Sequence, residues 1–503
     1  MKNKAFLLGI DGASWNIIKW MIDDGVLPNF KEICREGVTG TLSSTIPPMS
    51  LPAWNSIFTG TNPGKHGIPD SVARINGQNV PIINSKFRST PTLWEYLSTN
   101  EMYCIIVNDP VSYPPLRIKG IHMTGFLTPS NSDQFIYPIE LKDRIKHMKR
   151  YIPEVPENYY IMLRKNLDVA LEIGLMISKT QEDIVFSLLH NFTWDIFNFT
   201  VTLTDRVLHF MWHRKKLIKK LYKHVDVFLG RVLNFCLSEN ADLIIVSDHG
   251  FETLKYFFYI NNWLMDKGFA SKELKRIIQR YRNYILKYLI QAPLFINLAK
   301  KFQIPQRLPK FSVDDIALSF GTGSIFLNNS LEEQTKKRIL HRLMKELINV
   351  KHRNNSVFDG IFQREDILWG PYVNRAGDIL VNFAKCYDIH TGIIGQKWFG
   401  SSKYIFEQVS RTGKHSKLGI FIGYGPNITR NRRVQYLIKT WDIAPTLLHM
   451  LGLFIPDYMD GRVLKEIFKE GSEPAIRSIK YKYRTEQERI RLRLKALSKR
   501  KII

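Results

Sequence analysis

The sequence predicts an α/β fold: a mainly parallel central sheet with helices on both faces and an inserted cap region. Three observations predict it. Ala5 to Ile10 and Ala241 to Ser247 are short apolar runs of strand length without polar alternation, the pattern of strands covered on both sides. Segments of helical periodicity separate such runs, the clearest being Lys215 to Leu237. Both runs end in acidic turns, Asp11-Gly12-Ala13-Ser14 and Asp248-His249-Gly250, and open α/β sheets gather ligands at strand C-termini.

In chain order, the first strand is followed by helical patterns at Trp15 to Met21 and Pro28 to Arg35. Val38 to Leu42 is expected to be a strand delivering the Pro-rich turn before Ser50. The apolar run Leu51 to Phe58 has helical character and stops at Thr59-Gly60. Thr92 to Leu97 is expected as a helix, with strands at Tyr103 to Val107 and Gly120 to Met123. NDPVSYPPLRIKG joins those strands, its prolines marking an extended loop. Asn158 to Thr180 has a long, mixed helical pattern, and the hydrophobic Asp183 to Leu189 is expected to be a strand. A helix carrying Asp205 and His209 comes next, then the amphipathic Lys215 to Leu237 that leads to the strand before Asp248.

From Phe257 to about Pro371 the character changes. Leu274, Ile277, Ile278, Tyr281, Ile285 and Leu289 fall at helical spacing, with Lys275, Arg276, Arg282 and Lys287 on other faces. Such a basic amphipathic helix suits packing on its own domain or lying on a membrane surface. Phe320-Gly321-Thr322-Gly323-Ser324 is a glycine-rich turn into a strand, without dinucleotide or P-loop spacing. Leu331 to Leu347 is a charged helix, and the chain is expected to return to the sheet near Gly377 to Val381. This division gives a core over 1–256 and 372–470, an inserted cap over 257–371 and a basic tail over 471–503.

With 503 residues, 44% of them hydrophobic, the chain can bury a large core. Cys34, Cys104, Cys236 and Cys386 lack CxxC spacing, which implies neither a disulfide framework nor a thiolate metal site. No apolar run approaches the roughly twenty residues of a membrane span, and Met1 to Lys4 lead directly into the first strand. The expected location is cytoplasmic. The 72 Lys and Arg against 46 Asp and Glu leave +26, which favours anionic partners without choosing among nucleic acid, acidic lipid and phosphorylated substrate. No helix-turn-helix, zinc-finger or interleaved-aromatic pattern supports specific nucleic-acid recognition. The charge is compatible with peripheral membrane contact.

The chemistry gathers around Ser50. A serine at a helix N-terminus faces free N–H groups and the positive end of the dipole, a place for phosphate or sulfate, although serine is also the commonest plain cap. Four separated places answer it: Asp11, Asp205 with His209, Asp248 with His249, and His415. Asp205 and His209 are four apart and share one helical face. Three Asp and three His are enough ligands for two divalent ions, and these donors suit zinc or manganese.

Asp11, Ser50 within PPMSLPAWNSIFTG, TDRVLH, SDHGF and GKH together resemble the alkaline phosphatase superfamily and, within it, the type I phosphodiesterase/nucleotide pyrophosphatase family. WDIAPTLLHMLGLFIPDYMDGRVL, Trp441 to Leu464, is similar to that family's C-terminal signature. The resemblance implies an alkaline-phosphatase-like sheet and two divalent ions about 4 Å apart, zinc first and manganese second. It assigns Asp11, Asp248, His249 and the Ser50 oxygen to one ion, and Asp205, His209 and His415 to the other. It makes Ser50 the nucleophile of a covalent phosphoseryl pathway and leaves His66, His213 and His449 outside the ligand set. Two departures bear on the substrate. The nucleophile is Ser50 where many nucleotide pyrophosphatases carry Thr, and Ser71 stands where they carry a phosphate-contacting Asn. Trp54 occupies the position at which sulfatases need Arg. The expected function is a metal-dependent hydrolase of phosphodiester or related phosphoryl ester bonds on a small-molecule, lipid or glycan substrate. The alternatives are a phosphomonoesterase or phosphoryl-group transferase of the same superfamily, and a basic membrane or nucleic-acid surface binder.

Overall fold

A computed structural model describes residues 3–82, 84–130, 132–145, 148–153, 155, 156, 159–271, 315–391, 399–401 and 411–483. Strand Ala5–Ile10 is buried at every position and lies inside a ten-stranded sheet. It pairs in parallel with Asp242–Val246 on one side and Ile196–Val201 on the other. Cys104–Asp109 and Gly120–Thr124 continue the parallel run, and Ile136–Tyr137 closes that edge antiparallel. On the other side Leu418–Tyr424 enters antiparallel between Asp242–Val246 and Val38–Ser43. Successive side chains of a strand face opposite ways, and this divides the core in two. Phe6, Leu8 and Ile10 pack with helices Trp15–Asp23, Pro28–Glu36, Leu167–Asn191 and Lys215–Ser238. Ala5 and Leu7 face helices Ser50–Thr59, Leu93–Thr99 and Ile443–Met450.

Two expectations are corrected. Asp183 to Leu189 is the C-terminal part of the 25-residue helix Leu167–Asn191, not a strand. Its buried Ile184, Val185, Leu188 and Leu189 recur at helical spacing, and a short apolar run does not distinguish a strand from a buried helix. The strand is Ile196–Val201, IFNFTV, where Asn198 and Thr200 interrupt the apolar pattern although both are buried. The second correction concerns Gly377 to Val381. Strand Ile379–Phe383 does not rejoin the central sheet; it lies between Ser324–Leu327 and Phe358–Gln363 in a separate four-stranded sheet with Ala317–Phe320. Its apolar pattern announced a buried strand but not the partner. Helix Glu333–Ile348 backs this sheet through Leu343 and Leu347.

Strand Gly250–Tyr259 links the two bodies of core. Its first residues pair with Gly413–Ser416 beside the candidate site, and Phe258 near its end packs in the cap's apolar cluster. The basic helix expected over Leu274 to Leu289 lies outside the described residues, as does the tail beyond Tyr483. Among the described residues no helix is long and apolar enough to cross a membrane.

Candidate active site

Three adjacent parallel strands end side by side and each delivers an aspartate. Ala5–Ile10 runs into Asp11, Asp242–Val246 into Asp248, and Ile196–Val201 into helix Leu203–Met211, which carries Asp205. Gly12, at φ +72°, makes the first turn and its N–H lies 3.4 Å from Asp248 Oδ1. Ser50 is the first residue of its helix, after extended Met49, and the helix stops at left-handed Gly60. The N–H groups of Ser50 and Leu51 have no intrahelical acceptor by geometry, and Pro52 has none to offer. The Ser50 hydroxyl is buried, 3.4 Å from Asp11 Oδ1 and 3.2 Å from His249 Nε2.

All six expected ligand residues meet around this hydroxyl. Asp11, Asp248 and His249 form one group, with His249 Nε2 3.5 Å from Asp11 Oδ1 and 3.2 Å from Asp248 Oδ2. Asp205, His249 and His415 form a second. His209 joins it: its Nε2 lies 3.0 Å from His415 Nε2 and 3.4 Å from Asp205 Oδ1, while His415 Nε2 is 2.9 Å from that same oxygen. His249 thus stands between the two groups, its ring stacked 3.7 Å from that of His415.

The donor set fits divalent ions. His415 Nδ1 sits 3.0 Å from the Pro48 carbonyl, and His249 Nδ1 3.1 Å from the Gly250 carbonyl. With Nδ1–H donating to a carbonyl, each ring turns a bare Nε2 to the cluster. At His209 the Gly413 carbonyl is 3.2 Å from Nδ1, and the Arg411 guanidinium shares that edge at 2.5 Å. Burial, with His415 beside it, holds His249 well below the usual imidazole range. Burial and Arg411 lower His209 to about 4. His249 and His209 are therefore held neutral and able to ligate. Burial and the neighbouring Asp205 charge push Asp11 up to about 7; burial, Asp11 and Asp205 push Asp248 well above the carboxylate range. At Asp205 burial acts in the same direction, but the imidazoles of His209 and His415 outweigh it and hold the group well below. Among the described residues, buried Asp248 Oδ2 has no hydrogen-bond donor. A crowd of buried carboxylates with one orphaned oxygen is costly unless cations sit among them.

Several neighbours were not foreseen from sequence. Arg206 donates to Asp205 Oδ2 at 2.8 Å and lies 4.2 Å over the Phe126 ring. Its signal was a charged residue inside TDRVLH itself. Trp54 donates from Nε1 to Asp11 Oδ2 at 3.2 Å. Asp70 is fully buried and accepts from the Thr322 N–H and hydroxyl and the Ser324 hydroxyl, tying the glycine-rich cap turn to the Ser50 region. Ser71 turns its hydroxyl to Asp70. His66, His213 and His449 lie outside the cluster: His66 is buried against Ser56, and His449 donates to the Pro474 carbonyl. A cavity of about 500 Å³ opens over Ser50, Asp205, His209 and His415 and extends beneath the cap past Phe257, Thr322 and Ile389.

Solved structures share this architecture. Murine ectonucleotide pyrophosphatase/phosphodiesterase 5 aligns over 93% of this chain and 100% of its own, with TM-score 0.54 and 12% identity. Another structure of that protein is an inactive variant in complex with AMP. Phosphonoacetate hydrolase from Sinorhizobium meliloti 1021, in complex with phosphonoacetate, aligns over 90% of this chain and 95% of its own, with TM-score 0.52 and 16% identity. No curated protein matches the chain in sequence. The family model for type I phosphodiesterase/nucleotide pyrophosphatase matches residues 5–385, a stretch that holds Asp11, Ser50, TDRVLH and SDHGF. The chain belongs to the type I phosphodiesterase/nucleotide pyrophosphatase family of the alkaline phosphatase superfamily.

Proposed function

We propose that this hydrolase cleaves phosphodiester or related phosphoryl ester bonds of a small substrate, with Ser50 as nucleophile. One observation carries the proposal: a buried serine hydroxyl at a helix N-terminus, touching Asp11 and His249 where two ligand groups meet. Divalent ions, zinc first and manganese second, held by Asp11, Asp248 and His249 and by Asp205, His209 and His415, would lower the pKa of the Ser50 hydroxyl and offset charge on the phosphoryl oxygens. Ser50 Oγ attacks phosphorus, its proton leaving to solvent, and the ester P–O bond breaks to free the alcohol. Water then cleaves the phosphoseryl bond and restores the serine. The N–H groups of Ser50 and Leu51 face a phosphoryl oxygen bonded to this hydroxyl, and the helix dipole acts with them. AMP and phosphonoacetate in the two related structures, and a cavity of about 500 Å³, support a small substrate. Four free thiols support a reducing, cytoplasmic location.

The test is hydrolysis of bis-aryl and mono-aryl phosphates by the parent and by Ser50→Ala, with metal content measured on both. Cleavage of the diester by the parent alone, with two equivalents of metal in each protein, is expected. Equal activity of Ser50→Ala would remove the nucleophile, and preference for the monoester would move the assignment to a phosphomonoesterase.

A further inference from the structure

The cavity over Ser50 carries more positive charge than a diester requires. Its lining includes Arg164, Arg206, Arg411 and Lys414 against the carboxylates Asp205 and Asp388. Lys414 is spent within the fold: its ammonium donates to the Phe383 and Ala384 carbonyls and pairs with Glu252 at 3.1 Å. The arginines differ. Arg206 has one edge fixed by Asp205 and its face against Phe126, and is 6% exposed. Arg411 lies against His209, with Asp388 3.9 Å away. Arg164, exposed on helix Tyr159–Lys165, makes no ion pair or hydrogen bond among the described residues.

Charge balance then points outward. If two divalent ions occupy the proposed centre, they exceed the three aspartates by one positive charge, which the single negative charge of a diester balances. Three arginines against Asp388 leave a further surplus of two. Concentrated on a partly buried wall, that surplus is a standing field for anions.

The geometry points to a second anion subsite formed by Arg206, Arg411 and Arg164, which takes a phosphate or carboxylate carried by the substrate beside the scissile phosphoryl ester. This rests on the hydrolase proposal above and narrows its substrate to esters with a second anionic group. Arginine suits the task because its planar fork grips two oxygens at once. Arg206 is already held by Asp205 and Phe126, so little side-chain freedom is lost when it binds. Phe257 and Ile389, in the same lining, offer apolar surface to the linking part of the substrate.

The test uses metal-loaded Ser50→Ala protein and three probes: methyl phenyl phosphate, and the same diester with a para-carboxylate or a para-phosphate on the ring. Dissociation constants are read by calorimetry, and the parent is assayed for cleavage of each probe. The two probes with an added anion are expected to bind about 10-fold or more tighter than methyl phenyl phosphate, the better of the two naming the anion. Adding Arg164→Gln or Arg411→Gln should cut that preference at least about 3-fold, while Arg206→Lys, which keeps the charge but not the fork, should weaken the phosphate probe most. Equal binding of the singly charged diester and the two probes with an added anion, or a preference untouched by both glutamine variants, overturns the subsite. Arg164 is exposed, so its variant tests the idea even where a change at buried Arg206 upsets folding. If the parent cleaves no probe while the preference holds, the hydrolase proposal fails and the subsite stands; cleavage of methyl phenyl phosphate without any preference has the opposite meaning.

Discussion

Replacing Asp11 with Asn should stabilise the metal-free protein and destabilise the metal-loaded one relative to the parent. Burial and Asp205 raise the Asp11 carboxyl from 3.8 to about 7. A raised acid holds its proton in the folded state over a range where the unfolded chain has lost it. Stability therefore falls as pH rises from about 4 and levels off above about 7. At 1.36 kcal/mol per pKa unit the full cost at pH 8 is about 4 kcal/mol, and at pH 5 it is about 2 kcal/mol. Asn escapes this cost and keeps an oxygen to accept from Trp54 Nε1. The variant in chelator should gain about 2–4 kcal/mol at pH 8, and roughly half as much at pH 5. With zinc at about 1,000 times the parent's dissociation constant the parent gains about 4 kcal/mol by mass action, and the variant, short of one ligand, gains far less. Denaturant titrations of both proteins, with chelator and with zinc at pH 5 and pH 8, give the comparison. A variant less stable than the parent in chelator at pH 8, or equal stabilisation of both by zinc, would refute the reasoning.

Three further outcomes are expected. Asp70→Ala leaves the Thr322 N–H and hydroxyl, the Ser324 hydroxyl and the Ser71 N–H without their buried acceptor, so it should cost about 3 kcal/mol in denaturant titrations and raise KM, because Thr322 lines the cavity. His66 is lowered to about 3 by burial and by Arg88, and a buried neutral histidine costs stability as pH falls below 6.5. His66→Gln should remove about 2 kcal/mol of the parent's loss between pH 6.5 and pH 5, seen as a smaller difference between titrations at those two values. Gly12→Ala forces a side chain into φ +72° with its Cβ 2.8 Å from the Phe251 ring; it should lower stability by about 1–3 kcal/mol and weaken zinc binding by calorimetry.

Most of the candidate ligands sit in a short local pattern, whereas His415 stood out only through the resemblance. An apolar strand stops at Asp11 or Asp248, and the spacing of four in TDRVLH puts Asp205 and His209 on one face whatever the tertiary context. Residues acting through distant neighbours were hidden. Nothing near Asp70 tells that Thr322 and Ser324 will come to it, and nothing near Arg411 tells that it will lie on His209. Strand identity failed where burial and polarity parted: Asn198 and Thr200 are buried inside a parallel strand, while the wholly apolar face of Asp183 to Leu189 belongs to a helix. Strand partnership was least visible, since Ile379–Phe383 reads the same whether it joins the large sheet or the cap's own.

The late, antiparallel entry of Leu418–Tyr424 between Asp242–Val246 and Val38–Ser43 has a consequence for biosynthesis. As the chain leaves the ribosome, the strand ending at Val246 waits for Tyr424, 178 residues later, before that flank is sealed. At about 5–20 residues per second this is on the order of 10–40 s during which two strands offer bare backbone to any passing partner. His415, three residues before that closing strand, arrives with it, so the sealing of the sheet and the completion of the centre are one event. Nascent chains stalled before this point should therefore cling to chaperones or to each other and bear no activity.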